Sequence, residues 1–384
     1  MSSLLLRHSL PVNFMDTLRQ RSSFHEAKQR FKEAESLLPD GQKIVGIREF
    51  ITHPDYLGKG DSFWPGILDD LEQMTAPGII GAFIEQGIGG GKSYRFAGLL
   101  CYYAYKIQMW SMMGRDIRTV TGNDPSMPLD MTNVSVTASQ AKDVIFGKVS
   151  ALIDGTDYKD GSPWFKEYCP RDKNIDSRLR FPTANFNIFP GHSKDTSVLG
   201  RDLFVALFDE ANFFKKSNLS TAEDQHPADV LYDAMERRIR SRFGMNGFMG
   251  VCSSVKTVND FTQERIVGLR SSKDCEAFYM PPSRPVWALW PESRLKEGEW
   301  KRFGVSSMDW DSNPCLFDDV PEETVTKTHA WVPRRYWKDF ETKPEDSLRD
   351  HVSIPSDAHS PFFRRNSAIV PDFGDGDFSG LQNP

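Results

Sequence analysis

A glycine-rich loop between a strand-like and a helix-like segment is the feature of this sequence that most constrains its fold. Residues 86–93 read Gln-Gly-Ile-Gly-Gly-Gly-Lys-Ser. The apolar run 78–84 ahead of them is typical of a parallel strand buried on both faces, and residues 93–106 carry apolar side chains at helical spacing. The context predicts a strand, a loop and a helix N-terminus in succession, which is an arrangement that binds phosphate groups.

Each position of this loop has an expected part in binding a nucleotide. The backbone is expected to curl around the phosphates so that its N–H groups point at them, over the residues Gln86, Gly87, Ile88, Gly89, Gly90 and Gly91. Lys92 is expected to reach the β- and γ-phosphates of ATP, and the Ser93 hydroxyl to bind Mg²⁺. The usual pattern G-x-x-x-x-G-K-[ST] has glycine where this chain has Gln86. A merely flexible glycine loop is the alternative, but it leaves Lys92 and Ser93 unexplained.

A second apolar run ends in two acidic residues. Residues 203–208 are apolar without interruption, and Asp209 and Glu210 follow at once. Asp209, at the strand's C-terminal end, is predicted to hold a Mg²⁺-bound water. Glu210 is predicted to orient and deprotonate the water that attacks the γ-phosphate. A solvated acidic pair at a strand end is the alternative interpretation.

Composition limits the kinds of partner. The 384 residues carry a net charge of −6, so any contact with nucleic acid must come from a local basic patch. The five cysteines form no C-x-x-C pair, and no histidines stand at metal-ligand spacing, which predicts reduced thiols and no zinc site. No apolar run approaches the roughly 18 residues that span a bilayer, so we expect no membrane segment.

Strand and helix patterns alternate through the middle of the chain, which predicts an α/β fold. Further strands are expected over 133–138, 185–191 and 247–254, and helices over 140–149 and 228–240. This alternation implies a mostly parallel sheet flanked by helices, as in P-loop ATPases of the RecA-like (ASCE) type. The ligand of such a sheet lies at the C-terminal ends of the strands.

We divide the chain into an N-terminal helical region on the adenine side (1–75), a P-loop ATPase core (76–256), a lid or linker subdomain (257–365) and a polar tail (366–384). In the first region Tyr56, Phe63 or Trp64 could stack on the adenine base, and Trp64 is our candidate. Ordinary core packing of these aromatic rings is the alternative.

Together these motifs resemble the ATPase part of a large terminase subunit, the DNA-packaging motor of tailed phages and herpesviruses. Beside the two nucleotide motifs, the resemblance rests on residues 134–141, 200–211, 237–243 and 340–363. It covers about residues 45–365. The nucleotide motifs by themselves indicate only a P-loop ATPase with a catalytic glutamate, whereas the order and spacing of the weaker motifs select the terminase.

The resemblance implies an activity and a set of partners. It implies a Mg²⁺-dependent ATPase that drives double-stranded DNA into a procapsid, working in the host cytoplasm as a homo-oligomeric ring with a portal protein and a small terminase subunit. It also implies that Ser253 and Ser254 form the coupling motif, which senses the γ-phosphate. Two serines that end a strand can equally form a turn or a helix cap.

One departure from the family concerns a positive charge. Terminase P-loops usually carry an arginine inside the loop, and the matching position here is Ile88. Another arginine, such as Arg95, Arg201 or one from a neighbouring subunit, would have to serve. In the helix over 228–240, Arg238 and Arg240 are candidates for such an arginine finger or for contacts with DNA phosphate, and a solvated basic helix is the alternative.

Two other functions remain open. A helicase-like or other P-loop translocase would share both nucleotide motifs but needs a second RecA-like domain, which residues 257–384 are too short to supply. A non-hydrolysing nucleotide-binding assembly module is the other possibility, against which Glu210 argues. Large terminases normally continue into a nuclease whose clustered carboxylates bind two metal ions. Residues 364–384 hold no apolar strand ending in aspartate, so we expect no DNA cleavage by this polypeptide.

Overall fold

The computed structural model describes residues 44–155, 161–175, 177–193, 200–214, 226–256, 260–321 and 323–354. The α-helices are α1 (Ile47–Thr52), α2 (Pro65–Met74), α3 (Lys92–Met112), α4 (Ile117–Val120), α5 (Ala138–Gln140), α6 (Gly147–Asp154), α7 (Pro163–Tyr168), α8 (Pro227–Phe243), α9 (Phe261–Arg270), α10 (Glu292–Leu295), α11 (Trp337–Thr342) and α12 (Pro344–Ser347). The strands are β1 (Gly81–Glu85), β2 (Leu129–Ser135), β3 (Leu179–Phe181), β4 (Phe186–His192), β5 (Leu203–Asp209), β6 (Phe248–Ser253), β7 (Phe278–Tyr279), β8 (Trp300–Gly304), β9 (Asp309–Trp310) and β10 (His329–Pro333). Two π-helical segments span Ala141–Phe146 and Leu348–Val352. The polar tail and most of the predicted N-terminal region lie outside the described residues.

The large sheet has the strand order β3-β4-β2-β5-β6-β1-β7. Neighbouring strands of this sheet pair in parallel, except that β3 runs antiparallel to β4 at the edge. The predicted α/β architecture with a mostly parallel sheet is confirmed. Because β6 lies between β1 and β5, the C-terminal ends of these three strands meet at one edge of the sheet.

Apolar side chains cover both faces of this sheet. In β1, Ala82 and Ile84 join a core cluster that includes α1, α2, α3, α6 and α7, whereas Phe83 joins a second cluster with α8 and α9. In β5, Leu207 and Phe208 divide in the same way. Successive side chains of a strand point to opposite faces, so a strand covered on both sides must be apolar throughout.

Strand β2 begins earlier than the sequence pattern predicts. The expected strand was 133–138, but β2 starts at Leu129 within a stretch that reads as irregular. Asp130 interrupts the apolar pattern although it is buried, and it is compensated there by the amide of Asn187 at 2.8 Å and by Arg201 at 3.5 Å. The helix predicted over 140–149 is a short α-helical turn, a π-helical segment and the start of α6.

A second sheet lies within the predicted lid or linker segment. Strands β10, β8 and β9 pair antiparallel around an aromatic core that contains Trp287, Trp300, Phe303 and Phe340. From the same segment, β7 instead joins the large sheet beside β1. Within the described residues, no helix combines the length and the apolarity needed to cross a membrane.

Candidate nucleotide site

The glycine loop connects β1 directly to α3. Gly91 is the N-cap residue of α3 with φ +72°, and Gly89 has φ +82°, so both occupy the left-handed region that favours glycine. A Cβ on Gly91 would also lie 2.2 Å from the Ile67 side chain of α2. The helix therefore begins at Lys92 with its free backbone N–H groups at the loop, as predicted for a phosphate site.

The ammonium group of Lys92 lies at the centre of the site. Its side chain is buried, and Nζ donates to the carbonyl oxygens of Gln86 at 3.2 Å and Gly87 at 3.3 Å. It also donates to Ser254 Oγ at 2.8 Å and pairs with Glu210 Oε1 at 3.1 Å. The structure thus brings together residues from the ends of β1, β5 and β6 that sequence analysis placed in one site.

Glu210 is fixed by Ser253, the last residue of β6, and by Ser254, which follows it. Its carboxylate accepts hydrogen bonds from Ser254 N at 2.7 Å, Ser254 Oγ at 2.9 Å and Ser253 Oγ at 3.4 Å. Its backbone has φ +57°, an uncommon conformation for a residue with a side chain. The Ser254 hydroxyl accepts from Lys92 and donates to Glu210, so it links the predicted phosphate-binding and water-activating groups.

Asp209 ends β5 at the same edge of the sheet. Burial and the charge of Glu210 raise the pKa of Asp209 to about 7, against the opposing effect of Lys92 and Lys148. Its Oδ1 atom is buried and has no hydrogen-bond partner among the described residues. A carboxylate oxygen without a partner, next to a loop that ends in Ser93, fits a Mg²⁺ ion, which prefers oxygen ligands.

The described residues contain no group of three or more histidine, cysteine, aspartate or glutamate side chains that could hold a metal. Mg²⁺ in phosphate-transferring sites commonly uses one or two protein oxygens, with water and substrate phosphate as the other ligands. Ser93 and Asp209 fit that kind of site, and their role as metal ligands stays a prediction.

Asn212 is a buried member of the site that sequence analysis missed. Its Nδ2 donates to Ser254 O at 3.0 Å, and its Oδ1 accepts from Thr262 N at 3.0 Å and Thr262 Oγ1 at 2.6 Å. Its backbone N–H donates to Ser253 Oγ at 3.2 Å. Asn212 therefore connects the two serines to the start of α9. A polar residue two positions after Glu210 was the available sequence signal, but asparagine is too common in turns to stand out.

The first half of the loop is held by residues 350–353, near the end of the predicted lid or linker segment. Gly87 N donates to Ser353 Oγ at 2.9 Å, and Ile88 N donates to the Asp350 carbonyl oxygen at 2.6 Å. Ser353 Oγ also donates to the Arg284 carbonyl oxygen at 3.1 Å. We call this contact the lid latch. Gly90 N donates within the loop to the Gly87 carbonyl oxygen at 3.2 Å, so the backbone N–H groups of residues 91–93, at the start of α3, are the ones expected to face phosphate.

The candidate replacements for an arginine in the loop have carboxylate partners. Arg95 is fully buried, and its Nη2 donates to Asp70 Oδ2 at 2.5 Å. Arg201 pairs with Asp130 at 3.5 Å and lies 4.2 Å from the Phe189 ring. Ile88 itself is 54% exposed at the tip of the loop.

Arg240 lies at the opposite edge of the sheet from the loop. Its guanidinium donates to the carbonyl oxygens of Gly244, Gly247 and Ile80, the last two of which precede β6 and β1. Arg238, which precedes it on α8, is half-buried. The structure does not bring either arginine to the loop of its own chain, and a role across a subunit interface stays a prediction.

Trp64 is half-buried at the start of α2. Its ring lies 6.2 Å from the ring of Trp290, and the Arg294 guanidinium is 5.0 Å from it. Phe63 and Tyr56, the other adenine candidates, pack in or against the main core cluster. Stacking of adenine on Trp64 stays a prediction.

Comparisons with known proteins place this site in context. A family model described as "Uncharacterized protein MJ0330, N-terminal P-loop domain" matches residues 68–322. No curated protein matches the sequence. Solved structures that resemble the chain include the HK97 bacteriophage large terminase, with a TM-score of 0.49 and 12% identity over 81% of this chain and 55% of that chain.

The large terminase of a thermophilic bacteriophage is also similar, with a TM-score of 0.36 and 10% identity over 57% of this chain and 45% of that chain. Its complex with ADP gives a TM-score of 0.35 and 9% identity over 57% and 44%. The chain therefore spans about half the length of the solved structures it matches. These are terminases, the family that the sequence motifs resemble, but likenesses of this degree do not bear on activity.

Proposed function

The chain belongs to the family described as "Uncharacterized protein MJ0330, N-terminal P-loop domain", and from that premise we propose that it is an ATP-hydrolysing motor subunit of the terminase type. The observation that supports this most strongly is the contact of Lys92, Glu210 and Ser254 at the ends of three neighbouring strands. A phosphate-binding lysine and a general base in one site suit hydrolysis, whereas a module that only binds nucleotide has no use for the base.

Lys92 and Glu210 are placed to exchange partners when ATP binds. The phosphates of ATP carry more negative charge than one carboxylate, so they attract the Lys92 ammonium away from Glu210. Once Lys92 has turned to the phosphates, the Glu210 carboxylate is free to accept a proton from the attacking water. The hydrogen bonds from Ser253 and Ser254 keep its carboxylate oriented during this exchange.

Ser254 is the residue through which the exchange reaches the rest of the chain. Its hydroxyl contacts both Lys92 and Glu210, and its carbonyl oxygen accepts from Asn212, which in turn binds Thr262 at the start of α9. A change of partner at Lys92 therefore alters the hydrogen bonds that hold α9. This path supports the predicted coupling role of Ser253 and Ser254.

Ser93 and Asp209 would hold Mg²⁺, which neutralises charge on the β- and γ-phosphates when bound. The buried, unpartnered Oδ1 of Asp209 supports this assignment.

Single-turnover ATP hydrolysis tests the chemistry. Glu210→Gln is expected to bind ATP and to lose hydrolysis by about 10²–10⁴-fold, because it removes the general base. Lys92→Ala is expected to lose both binding and hydrolysis. Glu341→Gln, at an exposed position of α11, is the matched control and should hydrolyse ATP like the wild type. Hydrolysis near the wild-type rate in Glu210→Gln contradicts the assignment.

Transport of double-stranded DNA into a procapsid is the finer part of the proposal. It is supported by the motifs that resemble terminases, and with it come a homo-oligomeric ring, the portal and small-subunit partners and the host cytoplasm. Duplex DNA should stimulate ATP turnover of the assembled chain. Stimulation by single-stranded DNA alone would favour the helicase-like translocase instead, and absence of turnover would favour the assembly module.

Two finer points have their own tests. If Arg238 acts across a ring interface, Arg238→Ala chains mixed with Lys92→Ala chains should recover part of the turnover that each variant lacks alone. The expected absence of DNA cleavage by this polypeptide stays a prediction, and incubation of a supercoiled plasmid with Mg²⁺ or Mn²⁺ checks it.

A further inference from the structure

Lys148 lies at the same edge of the sheet as the nucleotide site. It is the second residue of α6, which follows β2 through a π-helical segment. Strand β2 pairs in parallel with β5, with Val134 opposite Phe208, the residue before Asp209. The chain that leaves β2 therefore crosses the sheet edge where β5 ends. Segments of π-helix are rare and occur often at functional sites, since they shift the side chains that follow them.

Lys148 lies near the first turn of α3 and near Asp209. Its Nζ lies 5.7 Å from the centre of the Tyr94 ring, and Tyr94 directly follows Ser93 in the first turn of α3. The ammonium group of Lys148 and the carboxyl group of Asp209 are close enough for their charges to attract each other. Lys148 thus faces the space between α3 and the end of β5.

Lys148 has no ion pair with any residue that the structure describes, in contrast to three other cations considered for this site. Lys92 pairs with Glu210, Arg95 with Asp70 and Arg201 with Asp130. The half-buried ammonium group is compensated only by the more distant charge of Asp209 and by the Tyr94 ring, and a bound anion would complete that compensation.

We propose that Lys148 is a second phosphate-binding lysine, whose ammonium group binds the terminal phosphate of a nucleoside triphosphate. The proposal rests on the ATPase function proposed above. In a P-loop site the loop and the helix N-terminus hold the phosphates nearer the nucleoside. A cation beside Asp209, at the end of β5, would meet the terminal phosphate. Lys148 would supply from the same chain the charge that the loop lacks at Ile88.

Equilibrium binding of ADP and of a non-hydrolysable ATP analogue, at fixed free Mg²⁺, tests this assignment. Lys148→Met should weaken binding of the triphosphate by about 10–100-fold, the range of one charge-assisted hydrogen bond, and change ADP binding by less than about 2-fold. Lys148→Arg, which keeps the charge, should recover part of the triphosphate affinity. Lys142→Met, at an exposed position of the π-helical segment, is the matched control and should bind both nucleotides like the wild type.

The outcomes separate this proposal from the proposed ATPase function. If the wild type binds the triphosphate and Lys148→Met binds it equally well, or loses ADP and triphosphate affinity alike, the assignment of Lys148 is wrong and the ATPase function stands. If the wild type binds neither nucleotide, both proposals are wrong. Lys148→Gln, measured in parallel, guards against misfolding of the methionine variant, and it should show the same selective loss of triphosphate affinity.

Discussion

Replacement of Asp70 by asparagine should destabilise the protein far more than the same change at its neighbour Asp69. Asp70 and Arg95 form an ion pair at 2.5 Å with side-chain exposures of 1% and 0%. Asp70 also accepts from Tyr279 OH at 2.6 Å and from the Arg284 guanidinium. Asparagine keeps the size of the side chain but removes the charge, and it leaves the buried Arg95 guanidinium without a counter-charge.

The magnitude follows from burial. Removal of one partner of a buried ion pair costs about 3–5 kcal/mol in unfolding free energy, because an uncompensated charge stays in the interior. Asp69 pairs with Arg48, also at 2.5 Å, but the two side chains are 66% and 37% exposed. An exposed pair contributes about 0–1 kcal/mol. Two adjacent residues of α2, each paired with an arginine at the same distance, therefore differ by several-fold in expected effect.

Equilibrium unfolding in urea, followed by circular dichroism, measures both variants. Asp70→Asn should lower the midpoint of the first transition clearly, and Asp69→Asn should leave it nearly unchanged. The double variant Asp70→Asn with Arg95→Met removes the buried charge that the single change leaves unpaired, so it should recover part of the loss. Equal midpoints for Asp70→Asn and Asp69→Asn would refute the reasoning.

Arg240→Met should lower the unfolding free energy by about 1–3 kcal/mol, since three carbonyl oxygens lose a donor, whereas exposed Arg237→Met should change it by less than about 0.5 kcal/mol. Turnover per folded molecule should stay unchanged in Arg237→Met, and a selective loss of turnover in Arg240→Met would support its predicted role as an arginine finger. Gly87→Ala places a Cβ 2.2 Å from the Asp350 carbonyl oxygen, so amide hydrogen exchange should become faster over residues 348–354. Gly46→Ala is the control: its Cβ would have no atom within 4 Å, so it should leave the exchange unchanged. Burial and nearby Asp260 raise the pKa of Glu85 from 4.5 to about 7. Between these pH values the native state keeps a proton that the unfolded chain releases. The stability that this proton confers is therefore lost as the pH rises through 7. In denaturant titrations, the unfolding free energy of Glu85→Gln relative to that of the wild type should therefore rise by up to about 3 kcal/mol between pH 4.5 and pH 8. A difference between the two proteins that does not change with pH would contradict this.

The centre of the site could be predicted from the sequence because its residues stand beside strongly apolar strands. Lys92 follows one such strand and Glu210 another, and parallel strands bring their C-terminal ends to one edge. Strand β2 was placed too late because Asp130 is buried by partners from β4 and the segment before β5, which no local pattern reveals.

Other parts of the site depend on contacts between residues far apart in the chain. Ser353 contacts Gly87, and Arg284 shares Asp70 with Arg95, but neither pair has a recognisable spacing. The basic run that contains Arg240 predicts a site for anions because its charge is visible in the sequence. The backbone carbonyl oxygens that bind the Arg240 guanidinium at the far edge of the sheet leave no signal in the sequence.

The position of β1 in the sheet has a consequence during synthesis. Its partners are β6 and β7, so the strand that precedes the glycine loop finds no neighbour until Ser253 has left the ribosome. At about 5–20 residues per second, roughly 10–30 s pass between the emergence of the loop and the emergence of that partner. During this interval the nascent chain exposes an apolar strand with unpaired edges, which is a surface that chaperones bind and that aggregates readily. Nucleotide cannot assist the folding of the first half of the chain, because the site that would bind it includes Ser254 and is complete only after β6 has been made.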